Sequence, residues 1–266
     1  MTKAVWRLTL LIALAGLCLE GYFALRIALM RFIDPQSTTF QRSEMSRILR
    51  QEGVLNWSQQ WRPYEGISPH VKRAVIASED AGFVDHSGVE WDALEKAWER
   101  NAKAQQQAHT LQARASERYE RALVRAKKRG RTPPPPPTAL SVTPKVIGGS
   151  TITQQLAKNL FLSSERNLLR KGQEFVITLM LEAMLSKERI LEIYLNNVEW
   201  GEGLFGVDAA AHHYFHVAAD QLAPIQAARL AVMLPAPKRY EHDPRSSYIL
   251  SRSGAISARM GSAELP

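Results

Sequence analysis

The sequence has 266 residues, of which 45% are apolar, and its mean hydropathy is −0.23. This composition excludes a chain that is disordered throughout and a collagen-like repeat. A single cysteine, Cys18, excludes an intramolecular disulfide and a metal site built from several cysteines. The net charge of +8 is typical of proteins that bind polyanions, but ten of the 34 Lys and Arg lie in 100–131 beside only two acidic residues. The other residues carry 24 basic and 24 acidic groups, so the body of the protein is electrically neutral.

The first 33 residues predict a membrane anchor. Residues 8–19 form an uncharged run, which is too short to cross about 30 Å of hydrocarbon unless the helix continues past Glu20 and Arg26. The many leucines favour insertion, and we predict one uncleaved transmembrane helix within 1–33. A cleaved signal peptide is the alternative, because residues 13–15 read Ala-Leu-Ala. Basic residues flank the run on both sides, so the charges leave its orientation open.

A membrane-proximal linker or small lobe is predicted at 34–67, where the sequence is polar with scattered aromatic residues. Ser68 and Pro69 then give the N-cap and first-turn signal of a helix. Apolar residues continue at helical spacing until 79–82, where Glu-Asp-Ala-Gly ends the pattern.

The basic segment predicts an insertion. A helix is expected to begin near residue 90 and to extend far into the segment, because its Ala, Gln and Arg residues favour helix. Five consecutive prolines at 133–137 must end that helix in an extended spacer. We therefore predict that 100–147 is an inserted element that protrudes from the fold.

The chain from Ser150 onward predicts a series of helices, with no alternating run long enough to predict a strand. Ser186 has the position of an N-cap residue. The predicted helices span 151–162, 167–185, 187–195, 207–215 and 224–234. The fold class is therefore all-α, with one main domain at 68–245 and a C-terminal tail at 246–266.

Two adjacent carboxylates, Glu79 and Asp80, are the first candidates for chemistry. They lie at the C-terminal end of an apolar helix, where the negative end of the helix dipole raises a carboxyl pKa toward that of a general base. The alternative is that both are solvated residues of a turn. His86 follows at a short distance and is interpreted as a turn or capping histidine.

The stretch 148–155, which reads Gly-Gly-Ser-Thr-Ile-Thr-Gln-Gln, predicts an anion site at a helix N-terminus. Cationic side chains follow it, at Lys158, Arg166, Arg170 and Lys171. Glu174 lies on the same helical face as the last two of these. The alternative interpretation is a solvated face with an ordinary helical ion pair. Together, two separated carboxylates and a cationic cradle suit displacement of a phosphate leaving group by a hydroxyl.

These stretches resemble five ordered motifs of one family. They read EDAGFVDHSG at 79–88, GSTITQQLAKN at 149–159, RKGQE at 170–174, RILEIYLN at 189–196 and LPAP at 234–237. The chain resembles the membrane-anchored monofunctional peptidoglycan glycosyltransferases, or transglycosylases, of glycosyltransferase family 51. The resemblance implies a lysozyme-like α-helical fold with a small jaw lobe, and no transpeptidase domain. It also implies polymerisation of lipid II into linear β-1,4 glycan strands with release of undecaprenyl diphosphate.

The resemblance assigns roles residue by residue. Glu79 would be the base that deprotonates the acceptor 4-hydroxyl, Asp80 would support it, and Glu174 would orient or stabilise the donor. The diphosphate or a nearby sugar would be held by Ser150, Thr151, Gln154, Gln155, Lys158, Asn159, Arg166, Arg170 and Lys171.

The resemblance also sets the expected surroundings of the enzyme. No cofactor is obligatory, although a divalent cation such as Mg²⁺ or Mn²⁺ on the diphosphate is compatible with the family. The expected partners are lipid II, the nascent glycan, membrane lipid and other cell-wall synthesis or division proteins, but no nucleic acid. The expected location is the bacterial cytoplasmic membrane, with a single span and the catalytic domain on the periplasmic face.

Two alternatives remain open from the residues alone. A lysozyme-like lytic enzyme would cleave the same polymer, but it would not need a cationic cradle for a diphosphate. A membrane-anchored module could instead bind a polyanion through 100–131.

Overall fold

The computed structural model of the protein describes residues 2–130, 132, 149–162 and 168–266. Within these ranges the chain is mostly helical, which confirms the predicted fold class. The helices are α1 (Thr2–Leu29), α2 (Thr39–Glu52), α3 (Pro69–Glu79), α4 (Trp91–Lys128), α5 (Ile152–Phe161), α6 (Leu168–Met184), α7 (Lys187–Asn197), α8 (Val207–Phe215), α9 (Pro224–Met233), α10 (Pro237–Tyr240) and α11 (Ser247–Arg259). The chain divides into a main unit, Met1–Val89 with Ser150–Pro266, and an insert unit, Glu90–Gly149.

The core of the main unit forms where helices bury one apolar face each. Ser68 accepts a hydrogen bond from the His70 amide and caps α3, as predicted. Helix α3 packs against α9 and α11, and α5 packs against α6 and α7. Residues 246–266 were expected to form a tail, but α11 buries Ile249 and Ile256 in this core. Their spacing of seven residues places both on one face of the helix, and this is the signal that the expectation missed.

Three short strands lie in the main unit, although none was predicted. They are β1 (Ser58–Gln59), β2 (Glu199–Gly201) and β3 (Leu204–Phe205), in the order β1-β3-β2. Strand β3 pairs parallel with β1 and antiparallel with β2. The pairing of β1 with β3 joins the segment at 34–67 to the rest of the main unit. Strands this short are too brief for an alternating pattern to be recognised.

Helix α1 is the only helix in the described ranges that is long and apolar enough to cross a membrane. Its side chains are exposed from Lys3 to Leu19, whereas Phe23 and Ile27 are buried against other parts of the main unit. Glu20, a charged residue within the predicted transmembrane helix, accepts a hydrogen bond of 2.8 Å from Gln173 Nε2 on α6. The exposed part therefore measures about 26 Å at 1.5 Å per residue, close to the thickness of the hydrocarbon core.

The insert unit contains α4, which begins at Trp91 as predicted and extends through most of the basic segment. The five prolines at 133–137 and most of the remaining insertion lie outside the described residues.

Candidate active site

Glu79 is the last residue of α3 and is mostly enclosed by neighbouring groups. Its Oε2 accepts a hydrogen bond of 3.0 Å from Gln155 Nε2 on α5. Burial raises the pKa of the Glu79 carboxyl, the hydrogen bond from Gln155 opposes that rise, and the nearby charge of Asp80 adds to it. The sequence predicts a raised pKa from the C-terminal end of the helix, and in the structure desolvation is the largest cause of the rise. The result is a carboxylate with increased basicity, as a general base requires.

Tyr194 on α7 sets the orientation of the Gln155 amide. Its hydroxyl donates a hydrogen bond of 3.0 Å to Gln155 Oε1, so the amide nitrogen faces Glu79. Burial and the charges of Glu79 and Asp80 raise the pKa of Tyr194 well above 10, which keeps the hydroxyl protonated as a donor. Tyr194 lies in the motif at 189–196, but its spacing in the sequence predicts no contact with Gln155, because that contact joins two helices.

The Asp80 carboxylate joins two segments of the main unit. Its Oδ2 accepts from the Ile152 amide at 2.9 Å, and its Oδ1 lies 2.8 Å from His86 Nε2. His86 Nδ1 accepts from the Gly88 amide, so Nε2 carries the proton and donates to Asp80. The interpretation of His86 as a turn histidine is thereby confirmed. Asp80 thus holds the 79–88 loop against the N-terminus of α5, and its charge adds to the raised pKa of Glu79.

The N-terminus of α5, where the sequence predicts an anion site, has two of its amides already paired within the protein. The Ile152 amide is already bound by Asp80, and the Gln154 amide donates to Thr151 Oγ1 at 3.2 Å. Gln154 Oε1 accepts from the Thr151 amide in return, which completes a capping box. Thr151 and Gln154 are buried in this capping box, and their assignment to substrate binding stays a prediction. Ser150, in contrast, is exposed.

Glu174 lies on α6 between two cations. It is 3% exposed, its Oε2 lies 3.1 Å from Arg170 Nη1, and its Oε1 contacts Lys171 Nζ. The prediction that the three residues share one face is confirmed. The Lys171 side chain is 54% exposed, so its ammonium can contact a ligand while Glu174 holds it. The three groups together have a net charge of +1.

Helix α5 arranges the base and the cations along one line. Lys158 and Asn159 lie one turn after Gln155 and therefore on its face; Lys158 is exposed and Asn159 is half-buried. Thr153 Oγ1 donates to Glu182 Oε1 on α6 at 2.5 Å. Because only 162–167 connect the two packed helices, they run in opposite directions. Lys158 and Glu174 thus both lie toward that connection, where Arg166 falls outside the described residues.

A basic carboxylate beside a row of cations suits transfer of a group from a phosphate ester to a hydroxyl. On a mostly helical fold, this combination indicates a transferase. The sequence matches the family model described as "Transglycosylase" over residues 46–115 and 138–261, which leaves out 116–137 of the insertion. The chain belongs to this transglycosylase family, whose domain is lysozyme-like.

Three relatives are named biosynthetic peptidoglycan transglycosylase. The protein of Cupriavidus metallidurans is 48% identical, with 93% of this chain and 92% of the relative covered. The protein of Herminiimonas arsenicoxydans is 44% identical over all of this chain and 99% of the relative. The protein of Paraburkholderia xenovorans is 44% identical over 96% of this chain and 90% of the relative. The similarity therefore extends over nearly the whole chain.

Proposed function

We propose that this chain polymerises lipid II into linear β-1,4 glycan strands of peptidoglycan, with Glu79 as the general base. The observation that supports this role best is the Glu79 carboxylate, whose pKa is raised by burial and whose position is fixed by Gln155. The family and the names of the relatives support the reaction class.

In the proposed reaction, Glu79 takes the proton of the acceptor GlcNAc 4-hydroxyl as that oxygen attacks C1 of the donor MurNAc. The bond between C1 and the phosphate oxygen breaks, and its electron pair leaves with undecaprenyl diphosphate. Attack from the face opposite the leaving group inverts C1 and gives the β-1,4 linkage. A positioned base contributes about 10²–10⁴ to such a rate.

The leaving diphosphate gains negative charge as the bond breaks, and cationic side chains of α5 and α6 would stabilise that charge. We assign Lys158, Arg170 and Lys171 to this role, with Arg166, Ser150 and Asn159 completing the cradle. Glu174 holds Arg170 and Lys171 in place through its two oxygens. Cations aimed at developing charge are effective because they need no reorganisation during the reaction.

The described residues of this cradle do not fit a divalent cation. Glu174 is its carboxylate, and both of its oxygens are already paired with Arg170 and Lys171. Elsewhere in the described ranges, one group of three carboxylates could hold a metal, Glu44, Glu199 and Glu202, but the Lys238 ammonium is paired with all three. We therefore propose that no metal is obligatory. Polymerisation in excess EDTA should retain most of the activity, and its abolition, with recovery on adding Mg²⁺ or Mn²⁺, would contradict this proposal.

We further propose that α1 anchors the enzyme in the bacterial cytoplasmic membrane, with the main unit on the periplasmic face. The exposed apolar surface of α1 up to Leu19 supports membrane anchoring. The periplasmic side follows from the substrate, because the glycan is built outside the cytoplasm. Contacts with other cell-wall synthesis or division proteins belong to the same proposal.

The test of the base is Glu79→Gln, which keeps the shape of the side chain and removes its basicity. Purified full-length protein in detergent, given labelled lipid II, should form glycan polymer, and the variant should lose at least about 10² in rate. Glu65→Gln is the matched control, because it makes the same change at an exposed carboxylate of the main unit. Polymerisation by Glu79→Gln at the rate of the wild type would refute the assignment.

A further inference from the structure

Helix α4 has an arrangement of charge that the proposed reaction does not use. At 100° per residue, eight of its nine Lys and Arg lie within an arc of about 80°. We call these residues the basic stripe: Lys96, Arg100, Lys103, Arg114, Arg118, Arg121, Arg125 and Lys128. All eight are exposed. The stripe is about 48 Å long, because Lys128 follows Lys96 by 32 positions with a rise of 1.5 Å each.

Acidic residues are nearly excluded from this face. From Lys96 to Lys128 the arc holds only Gln107 and Thr110 besides the eight cations, whereas Glu99, Glu117 and Glu120 lie on the adjoining face. One acid, Glu117, pairs with Arg121, whose side chain is nevertheless 69% exposed. The charge of the insertion is therefore concentrated along one line.

This concentration of positive charge on one face destabilises the helix. Like charges three or four residues apart repel, and consecutive members of the stripe have this spacing except across Gln107 and Thr110. An anionic surface would remove the repulsion by neutralising the line of cations. Clusters of four to eight Lys and Arg on a helix are typical of binding to anionic lipid headgroups.

We propose that the basic stripe of α4 binds the anionic phospholipid headgroups of the membrane in which α1 is anchored. A plane of headgroups complements a straight line of eight cations over its whole length. Because α1 and α4 belong to one chain, anchoring keeps the stripe close to lipid, and the effective concentration is high. The inference is independent of the catalytic roles, since none of the stripe residues lies in the main unit.

The test uses full-length Cys18→Ser protein in lipid nanodiscs, with a fluorophore on Gln107→Cys. Residue 107 lies within the stripe, and Gln105 lies about 160° away on the same helix, so Gln105→Cys is the matched probe. Quenchers attached to the headgroups should quench the label at 107 more in discs with 30% phosphatidylglycerol than in phosphatidylcholine discs. The difference should shrink as salt is raised and should be small for the label at 105.

Two variants then test the line of charge. Replacing Arg114 and Arg118 by Gln should weaken the contact by about fivefold per cation, whereas replacing both by Lys should preserve it. A third variant adds Gln105→Arg and Gln112→Arg to the Gln pair, which restores the net charge on the opposite face. The contact of this third variant with the headgroups should remain weaker than that of the wild type. Circular dichroism checks that each variant keeps its helix.

Equal quenching at 107 in neutral and anionic discs would overturn the proposal, as would wild-type contact in the variant with relocated charge. Contact that appears only after lipid II has been polymerised would assign the stripe to the nascent glycan instead, and would also refute binding to lipid.

Discussion

The orientation of Gln155 by Tyr194 makes a prediction about the pH dependence of the reaction. Tyr194→Phe removes the only described donor to Gln155 Oε1 and leaves the ring in place. The amide can then rotate and present its oxygen to Glu79, so the bond from Gln155 Nε2 is lost. A hydrogen bond to a charged group contributes about 1.5–3 kcal/mol, which corresponds to roughly a tenfold change or more between the two protonation states. Because that bond holds the Glu79 pKa down, its loss should raise the pKa further.

The assay is kcat/KM for polymerisation of labelled lipid II between pH 5 and 9. At acidic pH the kcat/KM of the variant should be about tenfold or more below that of the wild type, and the two values should approach each other at alkaline pH. The control is Tyr214→Phe, which removes a hydrogen bond of 2.9 Å to the Trp200 carbonyl without touching Glu79. An equal loss at every pH in Tyr194→Phe, or the same pH-dependent loss in Tyr214→Phe, would refute the reasoning.

Two further predictions concern stability. Gly88 has φ of +86°, and a Cβ added to it would lie 2.7 Å from Thr178 Cγ2. Gly88→Ala should therefore lower the free energy of unfolding by about 2 kcal/mol or more. Gly254 lies on α11 with open space around it, so Gly254→Ala should not destabilise the protein. Chemical unfolding checks this, and equal midpoints for the two variants would contradict it. Burial raises the pKa of Glu199 from 4.5 to about 7, despite Lys238 Nζ at 3.4 Å. The folded state therefore keeps this proton to higher pH than the unfolded state, and the contribution of Glu199 to stability falls as pH rises from 4.5 to 7. Glu199→Gln should gain up to about 3 kcal/mol relative to wild type between pH 4.5 and 8; an equal difference at both pH values would show that the proton is not held.

The helices of the main unit could be predicted because their signals are local. Helix α8 has the predicted bounds, and α7 begins after Ser186, whose hydroxyl accepts from the Arg189 amide as an N-cap. The pairing of β1 with β3 could not be predicted, because it joins segments more than 140 residues apart through two-residue strands. Helix α2 was also missed, although Thr38 and Gln41 form a capping box at its start.

The sequence indicates which residues form the candidate site, but it does not indicate the contacts between residues on different helices. The spacing of Arg170, Lys171 and Glu174 determines their contacts, because all three lie on one helix. The contact between Glu79 and Gln155 joins two helices, and no periodicity encodes it. Glycine and hydroxyl residues before a helix favour the binding of an anion at its N-terminus, but that anion can be a carboxylate of the protein itself. Here it is Asp80.

The position of Asp80 has a consequence for how a diphosphate is held. Because a buried carboxylate already occupies the first amide of α5, a second anion at this helix end would meet its negative charge. We therefore expect the diphosphate to be bound mainly by side chains farther along α5 and α6, where Lys158 and Lys171 are exposed. Long cationic side chains can follow a leaving group that moves away from C1, whereas backbone amides are fixed in place. The Asp80 carboxylate that occupies the N-terminus of α5 also adds to the raised pKa of Glu79, so one buried charge lies between the basic end of the candidate site and its cationic end.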